Sequence, residues 1–228
     1  MIIIIIHYCQ DWRNYDYFEN IIYLLITDQE VYVSEQLHLI NRGMFEERKA
    51  HLRPFFSPIS LHPKIARALV NITEVKSGQV ILDPFCGTGG FLIEAGLMGI
   101  DLIGSDISND MITGCKKNLA HYQLQAIDLI PSDITDLPER IGQSVDGIIT
   151  DLPYGKATST QGESIASVYD RAMNSILALL KPGKRAVIGS FSEELANNDY
   201  EFLEHCTSYP LRVHQSLTRW FHVFKKRP

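Results

Sequence analysis

From about Gln79 onward, short apolar runs alternate with longer stretches whose apolar residues recur at helical spacing. That alternation predicts a mostly parallel sheet with helices on its faces, an α/β architecture. The expected strands are Val80 to Asp83, Leu102 to Asp106, Ile127 to Ile130, Gly147 to Thr150 and Ala186 to Phe191. Helical patterns lie between and after them at Gly90 to Met98, Asp110 to His121, Ser164 to Leu180 and Glu193 to His205. Lys181-Pro182-Gly183 is helix-stop chemistry, a cation followed by proline and glycine. Farther on, Leu211 to Gln215 and Arg219 to Phe224 are strand-like runs separated by Ser216, Leu217 and Thr218. The gap is too short for a helix, so these runs should pair as an antiparallel hairpin.

Upstream, Ile21 to Ile26 and Val31 to Val33 flank Thr27-Asp28-Gln29-Glu30 and read as another hairpin. The apolar run Ile2 to Ile6 is too short for a secretory core and no basic residue precedes it. It is expected to form a buried strand, because isoleucine is a strong strand former. Pro58 and Pro63 bracket the start of a helix, Lys64 to Val70, with Ile65, Leu69 and Ile72 at helical spacing. Arg42, Arg48, Lys49, Arg53, Lys64 and Arg67 make this the most basic region, and with Lys225, Lys226 and Arg227 it is a candidate for phosphate contacts.

Composition narrows the partners. The 228 residues are 45% hydrophobic and 21% charged, which suits one large domain or a domain with a short appendage. Lys and Arg total 21 against 27 Asp and Glu, a formal net charge of -6. Binding to nucleic acid by bulk charge is therefore excluded, and any such contact needs a local patch. No segment reaches the length of a transmembrane helix. Cys9, Cys86, Cys115 and Cys206 are far apart and show no metal-ligand spacing with the eight histidines. A reduced, cytoplasmic setting without structural zinc follows.

Asp83-Pro84-Phe85-Cys86-Gly87-Thr88-Gly89-Gly90 stands where the first strand of the sheet turns into its helix. Glycines there let the backbone approach a ligand. The third glycine of a dinucleotide fingerprint is missing, since position 92 is Leu92, and so is the Lys-Ser/Thr of a phosphate loop. A ligand without a pyrophosphate fits better. Asp106 ends the second strand nineteen residues after Gly87, where such folds place a carboxylate on ribose hydroxyls. Asp133, followed by Ile134, stands after the third strand, placed for the amino group of an adenine. Three acids at neighbouring strand ends suit a cationic cofactor, and S-adenosylmethionine meets that description. Asp106 and Ser108 could also simply cap the next helix. Cys86 could be a redox thiol or a small, partly buried filler of the turn.

The fourth strand delivers Asp151-Leu152-Pro153-Tyr154. This arrangement suits methylation of an exocyclic amine conjugated to a base ring, whose lone pair is delocalised. If the Asp151 carboxylate and a backbone carbonyl each accept one N–H, the nitrogen becomes tetrahedral and its lone pair turns to the methyl donor. Pro153 keeps Leu152 extended, which aims the Leu152 carbonyl outward. Tyr154 offers a flat face for stacking of the target base.

Asp83 to Gly90, Asp106 and Asp151 to Tyr154 together resemble the S-adenosylmethionine-dependent amino-methyltransferases with an Asp/Asn-Pro-Pro-Tyr/Phe motif. More narrowly, Arg53 to Pro58, Leu61 to Asn71 and Asp83 to Gly96 resemble the archaeal and eukaryotic tRNA guanine-N2 methyltransferases, which act on the guanosine at tRNA position 10. The resemblance implies a Rossmann-like class I methyltransferase fold: a seven-stranded, mostly parallel sheet with an antiparallel C-terminal hairpin, plus a short β-rich N-terminal extension. It further implies a cofactor site of Ser60, Leu61, Asp83, Phe85, Cys86, Gly87, Gly89, Gly90, Asp106, Ile107, Asp133 and Ile134, with Ser60 and Leu61 at the methionine end. Residues 46–228 would be the methyltransferase domain. Residues 1–45 would be the remnant of, or a substitute for, the THUMP-type RNA-binding module that family members carry. Leu152 departs from the motif, which has proline there, and adds an N–H.

The leading expectation is transfer of a methyl group to guanine N2 in tRNA. Adenine-N6 or cytosine-N4 methylation uses the same chemistry, and methylation of a protein glutamine amide is a third possibility. A catalytically idle cofactor- and RNA-binding subunit is the alternative of another class. An RNA-binding or small activating partner protein is also expected, and no membrane.

Overall fold

The computed structural model describes residues 2–8, 20–36, 41–57, 60–153, 164–197, 200–214 and 217–228. The chain divides into two compact units, Met1–Met44 and Phe45–Pro228. In the first, β1 (Ile2–Tyr8), β2 (Asn20–Ile26) and β3 (Val31–Glu35) form an antiparallel sheet in that order. The expected hairpin between β2 and β3 is present. Its turn is closed by the Thr27 N–H on the Glu30 carbonyl (2.9 Å) and the Glu30 N–H on Thr27 Oγ1 (3.0 Å). The expectation of a buried strand at Ile2 to Ile6 is corrected in one respect: Ile3 is 58% and Ile4 42% exposed. Isoleucine's preference for extended backbone sets the element, but three strands cannot enclose both of their faces.

The second unit begins within α1 (Gly43–Glu46), and a 3-10 turn (Ala50–Leu52) then leads to α2 (Pro63–Ile72). Proline suits the first helical position, and His62 Nδ1 accepts the Lys64 N–H (3.2 Å) as the cap. There follow β4 (Val80–Asp83), α3 (Gly90–Gly96), β5 (Asp101–Asp106), α4 (Asn109–His121), β6 (Asp128–Pro131), α5 (Leu137–Ile141) and β7 (Val145–Asp151). The chain continues through α6 (Ile165–Leu179), β8 (Leu180–Ser190), a 3-10 turn (Glu193–Asn197), β9 (Leu203–His214) and β10 (Leu217–Lys226). One seven-stranded sheet runs β6-β5-β4-β7-β8-β10-β9. Its first five strands are parallel, and β10 pairs antiparallel with both β8 and β9, so the C-terminal hairpin is antiparallel as expected.

The strand order reverses between β4 and β7, and the carboxyl ends of those strands are where open α/β sheets take their ligands. Side chains alternate along each strand. Ile81, Leu102, Ile149 and Val187 pack on the side of α2, α3 and α4, and Leu82, Ile103, Ile148 and Ile188 on the side of α5 and α6.

The expected helix from Glu193 to His205 is not formed: only Glu193–Asn197 is helical, and β9 begins at Leu203. Asn197-Asn198-Asp199 favours caps and turns over helix, and β10 offers a ladder on which Leu203 pairs with Lys226. Pro210 is tolerated because β9 is the sheet edge. The helix stop at Lys181-Pro182-Gly183 coincides with the start of β8. A register shift between Val145 and Gly147 and a φ of 74° at Gly183 absorb the turn. Lys226 Nζ donates to the Leu177 (2.7 Å) and Leu180 (2.8 Å) carbonyls and so closes the end of α6. Among the described residues, no helix is long and apolar enough to cross a membrane.

Candidate active site

β4 ends on Asp83, which is 1% exposed and opens the glycine turn. Asp83 Oδ1 accepts the Phe85 N–H (3.2 Å) and the Thr150 hydroxyl (2.9 Å), which ties the turn to β7. The Cys86 N–H donates to the Ser105 carbonyl (2.7 Å) and the Gly87 N–H to Asp106 Oδ2 (3.0 Å), which tie it to β5. Gly87 (φ 50°) and Gly89 (φ 82°) hold left-handed conformations that side chains resist. A Cβ on Gly89 would also stand 2.6 Å from Cys115 Sγ, whereas the space beside Gly87 is open. Cys86 is buried, and the neighbouring Cys115 thiol and that burial push it well above the ordinary thiol range, which fits a filler of the turn better than a redox thiol.

The predicted methionine-end residues lie against this turn. Ser60 Oγ is 3.2 Å from Thr88 Oγ1, and Leu61 is half-buried against the α2 side of the core. The fully buried Asn118 joins the pieces: it accepts the Phe55 N–H (2.9 Å) and donates to the Phe55 (2.8 Å) and Thr88 (2.9 Å) carbonyls. Phe85 packs against the opposite core face.

Asp106 accepts the Gly87 and Ser108 N–H groups, and Ser108 is the N-cap of α4 through Met111 (3.4 Å). Capping and turn-bracing thus divide between the two side chains. Ile107 is 46% exposed beside them, and Ile134 is buried. Asp133 accepts the Thr135 N–H (2.9 Å) and pairs with Arg171. Burial pushes its carboxyl up, but Thr135 and Arg171 outweigh that and hold it below the ordinary range.

β7 ends on Asp151. Its Oδ2 is 3.1 Å from Arg219 Nη1, while Oδ1 is buried and accepts no hydrogen bond among the described residues. Leu152 is fully buried, and the N–H that proline would lack is bound to the Gly189 carbonyl (2.9 Å). The departure from the family motif is therefore absorbed by the sheet ladder. Pro153 follows, its carbonyl 3.5 Å from the Tyr169 hydroxyl. Tyr154 lies outside the described residues.

Burial, with Asp106 and Asp151 nearby, pushes Asp83 up to about 8. Burial likewise pushes Asp151 up to about 7 against the pull of Arg219, and raises Asp106. Three crowded carboxylates that resist ionisation fit a ligand bearing positive charge and oppose a phosphate.

Residues 50–201 match the family model described as UPF0020, RMKL-like, methyltransferase domain. The "Probable tRNA (guanine(10)-N2)-dimethyltransferase" of Methanothermococcus thermolithotrophicus is 43% identical over 169 residues, 72% of this chain and 98% of that protein. The chain belongs to this methyltransferase family, alongside the tRNA guanine-N2 methyltransferases. The tRNA (guanine(10)-N2)-dimethyltransferase of Methanothermobacter thermautotrophicus is 40% identical over 207 residues, 89% of this chain. The chain spans 60% of that relative's length. Among solved structures, TrmN from Thermus thermophilus is similar with a TM-score of 0.66 at 21% identity, over 86% of this chain and 56% of that one. A Streptococcus mutans methyltransferase solved with SAH gives 0.58 at 12% identity, over 74% of this chain and 99% of that one. These two likenesses show the shared methyltransferase fold.

Several parts of this candidate site are not carried by a motif. Thr150, Gly189, Asn118 and Arg219 each act through strand register or helix packing. The basic region also resolves differently from a solvated patch. Arg48 Nε meets Glu94 Oε1 at 2.8 Å, Arg67 Nη2 meets Glu94 Oε2 at 3.0 Å, and Glu94 is fully buried. Arg53 is buried too, and its Nε donates to the Arg48 carbonyl (3.1 Å). Arg48 and Arg67 fasten the segment before α2, and α2 itself, to α3, and Arg53 braces that segment from within.

Proposed function

We propose that this chain transfers a methyl group from S-adenosylmethionine to the exocyclic N2 amine of a guanosine in tRNA, at position 10. The observation that carries the reading is Asp151: a strand-end carboxylate beside the glycine turn with one buried oxygen that accepts no hydrogen bond among the described residues. An orphaned buried acceptor is costly, and an incoming N–H satisfies it. The names of the related proteins supply the substrate.

In this reading the glycine turn and the strand ends beside it would hold the cofactor. Asp106 would take its ribose hydroxyls and Asp133 its adenine amino group, with Ile107 and Ile134 beside them. Ser60, Leu61, Asp83, Phe85, Cys86, Gly87, Gly89 and Gly90 shape the methionine end. S-adenosylmethionine supplies a methyl group activated by a sulfonium. Asp151 and the Leu152 carbonyl take the two N–H groups of the guanine amine, which localises the nitrogen lone pair toward that methyl. An amine that accepted the methyl group would become cationic. Its proton leaves to Asp151 or water. Pro153 fixes the turn, and Tyr154 stacks on the base.

Residues 46–228 form the catalytic domain in this proposal, and residues 1–45 a separate strand-rich unit available for RNA contact. Phosphate contacts fall to exposed cations such as Lys64, because Arg48, Arg53 and Arg67 are committed inside. An RNA-binding or activating partner protein, and action in the cytoplasm, complete the proposal. Incubation of the protein with labelled S-adenosylmethionine and tRNA, followed by nucleoside analysis, tests it. N2-methylguanosine is the expected product. Label on adenine or cytosine, or on DNA alone, would overturn the substrate, and binding without turnover would favour an idle subunit.

A further inference from the structure

Asp151 on β7, Gly189 on β8 and Phe221 on β10 are register partners in one row across three strands. Arg219, two residues before Phe221, shares their face of the sheet because side chains alternate. Asp151 and Arg219 therefore stand on either side of β8, with Gly189 between them. A Cβ at Gly189 would come 2.3 Å from Asp151 Oδ1 and 2.9 Å from Phe221 Cε1. The φ of Gly189 is not positive, so its backbone does not demand glycine. What demands it is space. Strand neighbours lie about 4.8 Å apart, and a carboxylate and a guanidinium two strands apart can meet only over an empty position. They do meet, at 3.1 Å, and Arg219 is 5% exposed.

We infer that Arg219 is a positioning residue for Asp151, reaching it across the side-chain-free Gly189 to orient the carboxylate and balance its charge at the amine site. The inference rests on the proposed methyl transfer for its purpose, though not for its geometry. Among the described residues, the other groups facing Asp151 oppose its charge. Asp83 stands on β4 with Asp106 beyond it on β5, and Tyr169 approaches from α6. β8 contributes Gly189, which carries no charge. A protonated Asp151 would lose acceptor capacity for the amine, and a buried guanidinium at its other oxygen pulls it back toward the working form against burial.

The test begins with the ligand-free full chain: the Asp151 carboxyl is titrated by carbon-13 NMR in the wild type and in Arg219→Gln. Loss of the guanidinium should raise the midpoint by a pH unit or more, about a tenfold loss of ionised carboxylate on the acid side. An unchanged midpoint in a folded variant overturns the inference. In tRNA methylation assays, Arg219→Gln should lower kcat at neutral pH and recover toward alkaline pH, with cofactor affinity retained. An equal loss at every pH indicates a merely structural role and also overturns it. If Arg219→Gln does not fold, Arg219→Lys decides: it should keep the midpoint near wild type and lower kcat by loss of the planar fork, and an unchanged kcat counts against positioning. A shifted midpoint in a protein that methylates no tRNA would sink the proposed function and leave the Asp151–Arg219 coupling standing.

Discussion

In the parallel half of the sheet, β4, β5 and β7 each carry an acid to the same edge, and each acid ends its own strand. In the antiparallel half, Arg219 reaches that edge sideways, from the middle of a hairpin, through the register of β7, β8 and β10. The first kind of placement is local, written as strand then turn. The second needs three strands to pair correctly and one position in the middle strand to stay empty. The halves differ in their buried titratable groups as well. Asp83 in the parallel half resists losing its proton, whereas His222 in the antiparallel half resists gaining one. Chemistry delivered by strand ends survives small errors in register, and chemistry delivered across strands does not.

The sharpest way to separate the halves is to remove the acid on which they converge. Asp151→Ala should lower methyl transfer by about a hundredfold or more, the size expected when an acceptor aligned with the reacting amine is lost. Cofactor affinity, measured by calorimetry, should stay near wild type. An equal fall in both would mean that Asp151 belongs to the cofactor site. The next effect falls on stability and on the parallel half. Glu94→Ala leaves Arg48 without its carboxylate inside the core, and should cost about 3–5 kcal/mol in denaturant unfolding. A loss as small as that of a surface pair would show that water reaches the cluster.

The difference between local and cross-strand placement also explains what could be read in advance. Asp83, Asp106 and Asp151 follow apolar runs and precede turns, so strand-end chemistry was legible with the glycines between. Asp133 was legible as a strand-end acid, but its pairing with Arg171 on α6 was not, because no local pattern joins residues so far apart. Gly189 reads as an ordinary small residue within a strand, and Arg219 as a surface cation on a hairpin. Their roles emerge only from register. The run after Asn197 fits a helical period at Phe202 and Leu203, and the ladder with β10 decides for a strand. The basic stretch before α2 was legible as charge and not as burial, since its partner Glu94 lies far along the chain on α3.

The opposed titrations give the subtler tests, in two variants of the ligand-free protein. Asp83 has a folded value of about 8, above the ordinary carboxylate range, so between about pH 4 and pH 8 the folded state holds a proton that the unfolded chain has released. Its contribution must therefore fall as pH rises through that window. Asp83→Asn should flatten the decline, gaining on the wild type with each step from pH 5 to pH 8 in denaturant unfolding. Parallel curves would mean that Asp83 is ionised in the folded protein. His222 has the reverse sign and a smaller reach. It is buried, with Nε2 3.0 Å from the Ser192 carbonyl and Nδ1 2.8 Å from Ser208 Oγ, an arrangement served by the neutral ring. Burial holds it below the ordinary histidine range, so below about pH 6.5 the unfolded chain takes up a proton that the folded one refuses. Stability must fall toward acid, and His222→Gln should remove that part of the slope while leaving the alkaline side unchanged. The effect is the smaller of the two because a neutral imidazole is histidine's ordinary state above that pH, and the cost arises only on the acid side. If His222→Gln instead altered the alkaline slope, the two halves of the sheet would be coupled in their titration rather than opposed.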